Sequence, residues 1–142
     1  MPGIHFRIVC VTLSMLITGQ ATAIDWPQWR GPNRDGRSAE TNVDLDWTDG
    51  APELLWSTTG MGTGYSSLAV VGGTIYTTGN TKAGQAVIAR RSSDGAEVWT
   101  TLITQQPPDH GFKGARCTPS VTDKRVYVVG SDGQVACLNR AD

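Results

Sequence analysis

The chain has 142 residues, with 12 Lys and Arg against 13 Asp and Glu, a net charge of −1. No segment is strongly basic, which excludes the clustered cations that affinity for nucleic-acid phosphate requires. Glycine supplies 17 residues, about 12% against roughly 7% in average proteins, and it falls between short apolar runs as turns between many strands do.

Residues 1–23 read as a signal peptide. His5 and Arg7 form a short, weakly positive start, Ile8 to Ile17 is an apolar run of ten residues, and Ala21-Thr22-Ala23 supplies a small-residue cleavage pattern. A run of that length is too short for a membrane-spanning helix, which needs roughly 20 residues. Cys10 follows Arg7-Ile8-Val9, without the small residue that a lipid-attachment site places before its cysteine. The mature chain is expected to begin near Ile24, outside the cytoplasm, either periplasmic or secreted, and with no membrane span after cleavage.

Residues 24–52 form an extended N-terminal arm. Pro27 and Pro32 exclude a helix or a central strand, and Trp26 and Trp29 are its candidate anchors. Glu53 to Thr58 reads as a short strand and Gly60 to Gly64 as a Gly-rich connector. A complete unit follows. Tyr65 to Val71 is a strand, Gly72-Gly73 a tight hairpin turn of the positive-φ type, and Thr74 to Thr78 a returning strand rich in β-branched residues. Asn80 to Gln85 is a polar loop, Ala86 to Arg91 a third strand, Ser93-Asp94-Gly95 a turn, and Ala96 to Leu102 a fourth strand carrying Trp99. Thr104 to Gly114 is the longest connection: Trp56 to Ser67 is 11 residues, but Trp99 to Thr118 is 19. Such a loop is a candidate for recognition.

The next segment repeats that unit. Ser66 to Gly79 aligns with Cys117 to Gly130 at an offset of 51, and Val87-Ile88-Ala89 aligns with Val135-Ala136-Cys137 at an offset of 48. Ala115 to Thr122, Arg125 to Ser131 and Gln134 to Asn139 thus copy the first three strands, and a fourth is expected beyond Asp142. Short strands repeated at this period are the sequence mark of propeller blades. The fold expected for residues 53–142 is all-β: a partial β-propeller of about two four-stranded antiparallel blades, belonging to an eight-bladed ring when complete. The chain is expected to be an N-terminal fragment whose missing downstream blades are its nearest partners, because stacked repeats need at least three units for stability.

Cys117 and Cys137 remain after cleavage. Two-residue turns at Asp123-Lys124 and Asp132-Gly133 would set Cys117 opposite Gly130 and Cys137 opposite Val128. Two strand spacings, about 9.5 Å, would then separate the cysteines, more than the roughly 7 Å a disulfide spans. Free, buried thiols are expected.

The stretch Ala89-Arg90-Arg91-Ser92-Ser93-Asp94-Gly95-Ala96-Glu97-Val98-Trp99 resembles the tryptophan-docking motif of the pyrroloquinoline quinone (PQQ) type propeller repeat. Ala89, Gly95, Glu97 and Trp99 match it; Arg91 departs from the Asp usual there, and Asn139 is a closer substitute in the second copy. The arm from Trp26 to Gly36 resembles the opening of a group of secreted bacterial PQQ-like repeat proteins. The resemblance implies that Trp56, Ala89, Gly95, Glu97 and Trp99 dock one blade onto the next. It also implies a non-catalytic scaffold for protein partners, similar in architecture to the outer-membrane assembly factor BamB. The alternative it implies is a piece of a PQQ-dependent quinoprotein dehydrogenase, which would use PQQ and calcium; this chain has no adjacent Cys pair and no carboxylates at calcium-site spacing.

Other motifs carry no chemistry. His110 has no Cys or His near it for zinc and is placed on an exposed loop. Asp94-Gly95 and Asp132-Gly133 are turns. Ser66 and Ser67 lack a nucleophile elbow. Gly60 to Gly64 precedes a strand and is no phosphate loop. No catalytic or metal residue is expected in this chain, and no residue is assigned to cofactor binding.

Overall fold

A computed structural model describes residues 23–41, 43, 45–48, 50–109 and 111–141. The expected signal peptide, apart from Ala23, and His110 lie outside the described residues. The chain is all-β, a partial propeller of two antiparallel sheets, with four strands in the first and three in the second. The first sheet holds β1 (Ala69–Val71), β2 (Thr74–Asn80), β3 (Gln85–Arg91) and β4 (Glu97–Leu102); the second holds β5 (Ser120–Val121), β6 (Arg125–Val129) and β7 (Val135–Asn139). Each sheet is a meander in chain order. Among the described residues no helix is long and apolar enough to cross a membrane.

Turn chemistry sets most of the pairing. Gly72 and Gly73 take φ of 56° and 73° and join Val71 directly to Thr74, a two-residue turn whose twist matches the strands on either side. The corresponding turn at Asp123-Lys124 also closes on two residues, with the Thr122 amide donating to Arg125 O at 2.9 Å. The turn after β6 departs from expectation. The Gly130 amide donates to Gln134 O at 2.7 Å, leaving a three-residue loop with Gly133 at φ 89°. Cys137 therefore faces Tyr127, one residue from the expected Val128. A slip of one residue turns a strand over, so Cys137 lies on the opposite face from buried Val128. Cys137 is exposed and Cys117 half-buried, a correction to the buried pair expected; both are free.

Pleating gives each sheet two faces. On the first sheet Ala69, Tyr76, Ala89 and Trp99 form one cross-strand row, and with Val71 and Val87 they make its front. On the second sheet Val121, Val126 and Leu138 share a row, with Val128 and Ala136 beside it, making the back. The front of the first packs on the back of the second, and this contact is the hydrophobic core. Burial of these mostly small and β-branched side chains, about 25 cal/mol per Å² of apolar surface, holds the two sheets together.

Three expected elements differ. Glu53 to Thr58 has no strand pairing. The innermost strands are shorter than Tyr65–Val71 and Ala115–Thr122, and ahead of them Gly64 and Ala115 form a parallel bridge with each other. The arm is extended only to Pro27, beyond which Gln28 to Gly36 is a succession of turns. Trp26 anchors it: its backbone exchanges hydrogen bonds of 2.7 and 2.9 Å with Val70, while Pro27 O accepts the Val121 amide at 2.8 Å. Trp29, the other expected anchor, is 61% exposed.

Candidate docking site between the sheets

The five residues singled out by the repeat gather around two tryptophan contacts. β4 delivers Trp99 to the end of β7, where its indole N–H donates to Arg140 O at 3.1 Å. The ring also meets Tyr76, with centroids 5.9 Å apart and planes at 53°, a tilted geometry favourable to aromatic quadrupoles. Ala89, fully buried, lies between Tyr76 and Trp99 in the same row; its small side chain leaves room for both rings.

Trp56 makes the matching contact on the first sheet. Its indole N–H donates to Ser92 O at 3.0 Å, and Ser92 is the repeat equivalent of Arg140 at the offset of 48. Gly95 lies under that ring. It has φ 71°, and a Cβ there would sit 2.7 Å from the indole, so the position requires glycine both for its backbone and for its lack of a side chain. Glu97 is exposed and pairs with Arg90 at 3.2 Å across a bulge between β3 and β4. Arg91, where the motif departs, pairs with Asp94 at 2.7 Å. The Ala96 amide and this guanidinium hold the Asp94 carboxyl below the usual carboxylate range.

Two residues that sequence reasoning missed bridge the sheets. Gln85, expected in a loop, opens β3 and is buried. Its Nε2 donates to Asn80 Oδ1 at 2.9 Å and to Ser131 Oγ at 2.8 Å, while its Oε1 accepts the Ser131 amide at 2.8 Å. Arg140 donates to Tyr76 OH and to Val71 O, both at 3.2 Å. Arg140 was detectable in principle, since it occupies the Ser92 position of the repeat; nothing local marked Gln85. Ser66 Oγ and Thr78 Oγ1 add further bridges, donating to Cys117 O at 2.9 and 2.7 Å.

The long connection from Thr104 to Gly114 starts from a buried anchor, Thr104, whose Oγ1 accepts the Gln85 amide at 2.8 Å. Beyond it, Pro107, Asp109 and Lys113 wall an open depression of about 550 Å³ with Asn80 and Lys82 opposite. Among the described residues no three His, Cys, Asp or Glu side chains group as metal ligands. Both indole N–H groups are used by backbone carbonyls.

Residues 39–142 match the model of the PQQ-like repeat family described as outer membrane protein assembly factor BamB. No curated protein matches the chain. With that match spanning most of its length, the chain belongs to the PQQ-like repeat family.

Proposed function

We propose, with membership of the PQQ-like repeat family as premise, that this chain forms part of an exported, non-catalytic β-propeller scaffold engaged in outer-membrane protein assembly. The repeated tryptophan contact carries this reading. Trp99 spends its ring face and N–H on the junction between the sheets, and Trp56 makes the same use of its ring and N–H on the first sheet, which supports a stacking role for the motif. In this reading Trp56, Ala89, Gly95, Glu97 and Trp99 are blade-docking residues, residues 1–23 are the export signal, residues 24–52 the arm and residues 53–142 the repeats. The chain itself holds no cofactor, and the exposed loop ending in Phe112 to Gly114 meets a protein partner outside the cytoplasm.

A photocrosslinking residue at Phe112, which is 77% exposed, tests this in cells exporting the protein. The expected outcome is an adduct with a component of outer-membrane protein assembly. Reconstitution with PQQ and calcium that yields quinone absorbance and dye reduction would replace the scaffold with the dehydrogenase.

A further inference from the structure

Ile24, the residue expected to head the mature chain, is tied into the fold at its own nitrogen. The Ile24 amide donates to Glu40 Oε1 at 2.5 Å, across 16 residues of chain. The residues after it are fixed as well. Asp25 Oδ1 accepts the Gly72 amide at 2.9 Å, and Trp26 exchanges two backbone hydrogen bonds with Val70. Glu40 is placed from its own side, because its amide donates to Ser38 Oγ at 3.1 Å in a local turn. Its carboxylate has no Lys or Arg partner among the described residues, where the ion pairs are Arg90–Glu97 and Arg91–Asp94. It is directed instead at a nitrogen that is neutral in the precursor and charged once the leader is removed.

We infer that the Ala23–Ile24 peptide is the processing bond, and that cleavage turns the Ile24–Glu40 hydrogen bond into an ion pair that locks the arm onto β1. An export peptidase hydrolyses that bond with one water. The C–N bond breaks, Ala23 leaves as the carboxylate end of the leader, and Ile24 N takes up protons to become an α-ammonium. With an ordinary pKa of about 8, that group is charged at neutral pH. Three N–H donors then face Glu40 in place of one, and hydrogen bonds to ionised groups are roughly twice as strong as neutral ones. Ala21 and Ala23 supply the small side chains that cleavage requires. Neighbouring bonds do not give this result. A cut one residue later removes the Ile24 nitrogen, and a cut one residue earlier puts the charge on Ala23, about 3.8 Å along the chain. The pair closes the arm around its own turns, and the arm in turn bonds both sheets, at Val70 of β1 and Val121 of β5. The lock therefore forms only after the leader has gone. The inference rests on the export reading of residues 1–23 and adds which bond is cut and what the cut does.

Intact mass and N-terminal sequencing of the exported protein test the first half. An Ile24 terminus is expected. A terminus at any other residue would overturn the inference alone, whereas a retained leader would remove the export reading with it. Hydrogen exchange tests the second half, through the Trp26 and Val70 amides that hold the arm on β1. Glu40→Gln keeps the shape of the side chain and removes its charge; both residues of the pair are exposed, so the variant keeps the fold. It should speed exchange at both amides about threefold, the size that an exposed ion pair allows. In a form with Thr22-Ala23 left ahead of Ile24, the nitrogen is a neutral amide again, and the same substitution should have less than about half that effect. An effect as large in the extended form as in the mature one, or none in the mature one, would overturn the lock.

Discussion

The two sheets carry one repeat in two environments. In the first, β3 lies between β2 and β4 and beneath the second sheet, and Val87 is fully buried; its repeat equivalent Val135, on β7, is 78% exposed. Chemistry and backbone geometry are the same at the two positions. Burial is therefore conferred by neighbouring strands and sheets, and the repeat is written for an environment that only the first sheet fully has. The tryptophan contacts teach a second point. Trp56 reaches Ser92 O without any strand pairing of its own segment, so indole, carbonyl and glycine suffice to make the contact, and the strand ladder is an addition to it.

Breaking each contact separately should expose that difference. Trp99→Ala removes the indole, its hydrogen bond and its packing on Tyr76, and is expected to destabilise the chain by about 3 kcal/mol, the low end for a buried aromatic because the ring is half-buried. Trp56→Ala should cost about half as much, and urea denaturation of both variants checks the ratio. Equal losses would mean that the two contacts are energetically alike.

The turns sharpen the comparison next. Gly95→Ala places a Cβ into the Trp56 ring at positive φ and is expected to cost about 2 kcal/mol or more. Gly133→Ala, also at positive φ but with nothing within 4 Å of the added carbon, should cost about 1 kcal/mol. Thermal melts of the pair read the gap directly.

Between the sheets, Gln85→Ala leaves the Ser131 amide without its acceptor and opens a void in the junction. A loss of about 2 kcal/mol is expected, with early hydrogen exchange in the second sheet as its signature. Tyr76→Phe deletes only the hydroxyl that accepts from Arg140 and should cost about 1 kcal/mol.

The smallest effect is expected from acid. Asp94 is held below its ordinary range by the Ala96 amide and then by Arg91. A carboxyl depressed in the folded state contributes stability above its unfolded value, and the contribution is lost as pH falls through the folded value, below about pH 4. The group is exposed, so the loss is slight; comparing melts of the protein and of Asp94→Asn from pH 6 to pH 3 should show the difference between them shrinking with acid.

Much of this was legible from residues alone, for identifiable reasons. Gly72-Gly73 demanded a two-residue turn, and it forms. The offsets of 51 and 48 already contained the register of β6 against β7, since Tyr76 opposite Ala89 maps onto Tyr127 opposite Cys137. Reading Asp132-Gly133 as a turn of two residues obscured that register, because local turn signals count loop residues less reliably than a repeat does. Glu53–Thr58 was read as a strand because its pattern is that of one, and pattern does not supply an edge to pair with. The arm misled in a similar way: two tryptophans looked alike in sequence, and only the bridge to Val70 chose Trp26.

What the linear order of residues determined was the unit: the number and order of its strands, the glycines at positive φ in its turns, and a tryptophan at one fixed place in the fourth-strand pattern, all set by interactions within a few residues. The tertiary structure decided which faces are covered, which indole finds which carbonyl, and that Gln85 and Arg140 bind the sheets together. Those choices depend on groups brought close from 36 to 69 positions away (Trp56 to Ser92, Trp99 to Arg140, Arg140 to Val71). Distance along the chain hides such contacts until hydrophobic burial stacks one sheet on the next.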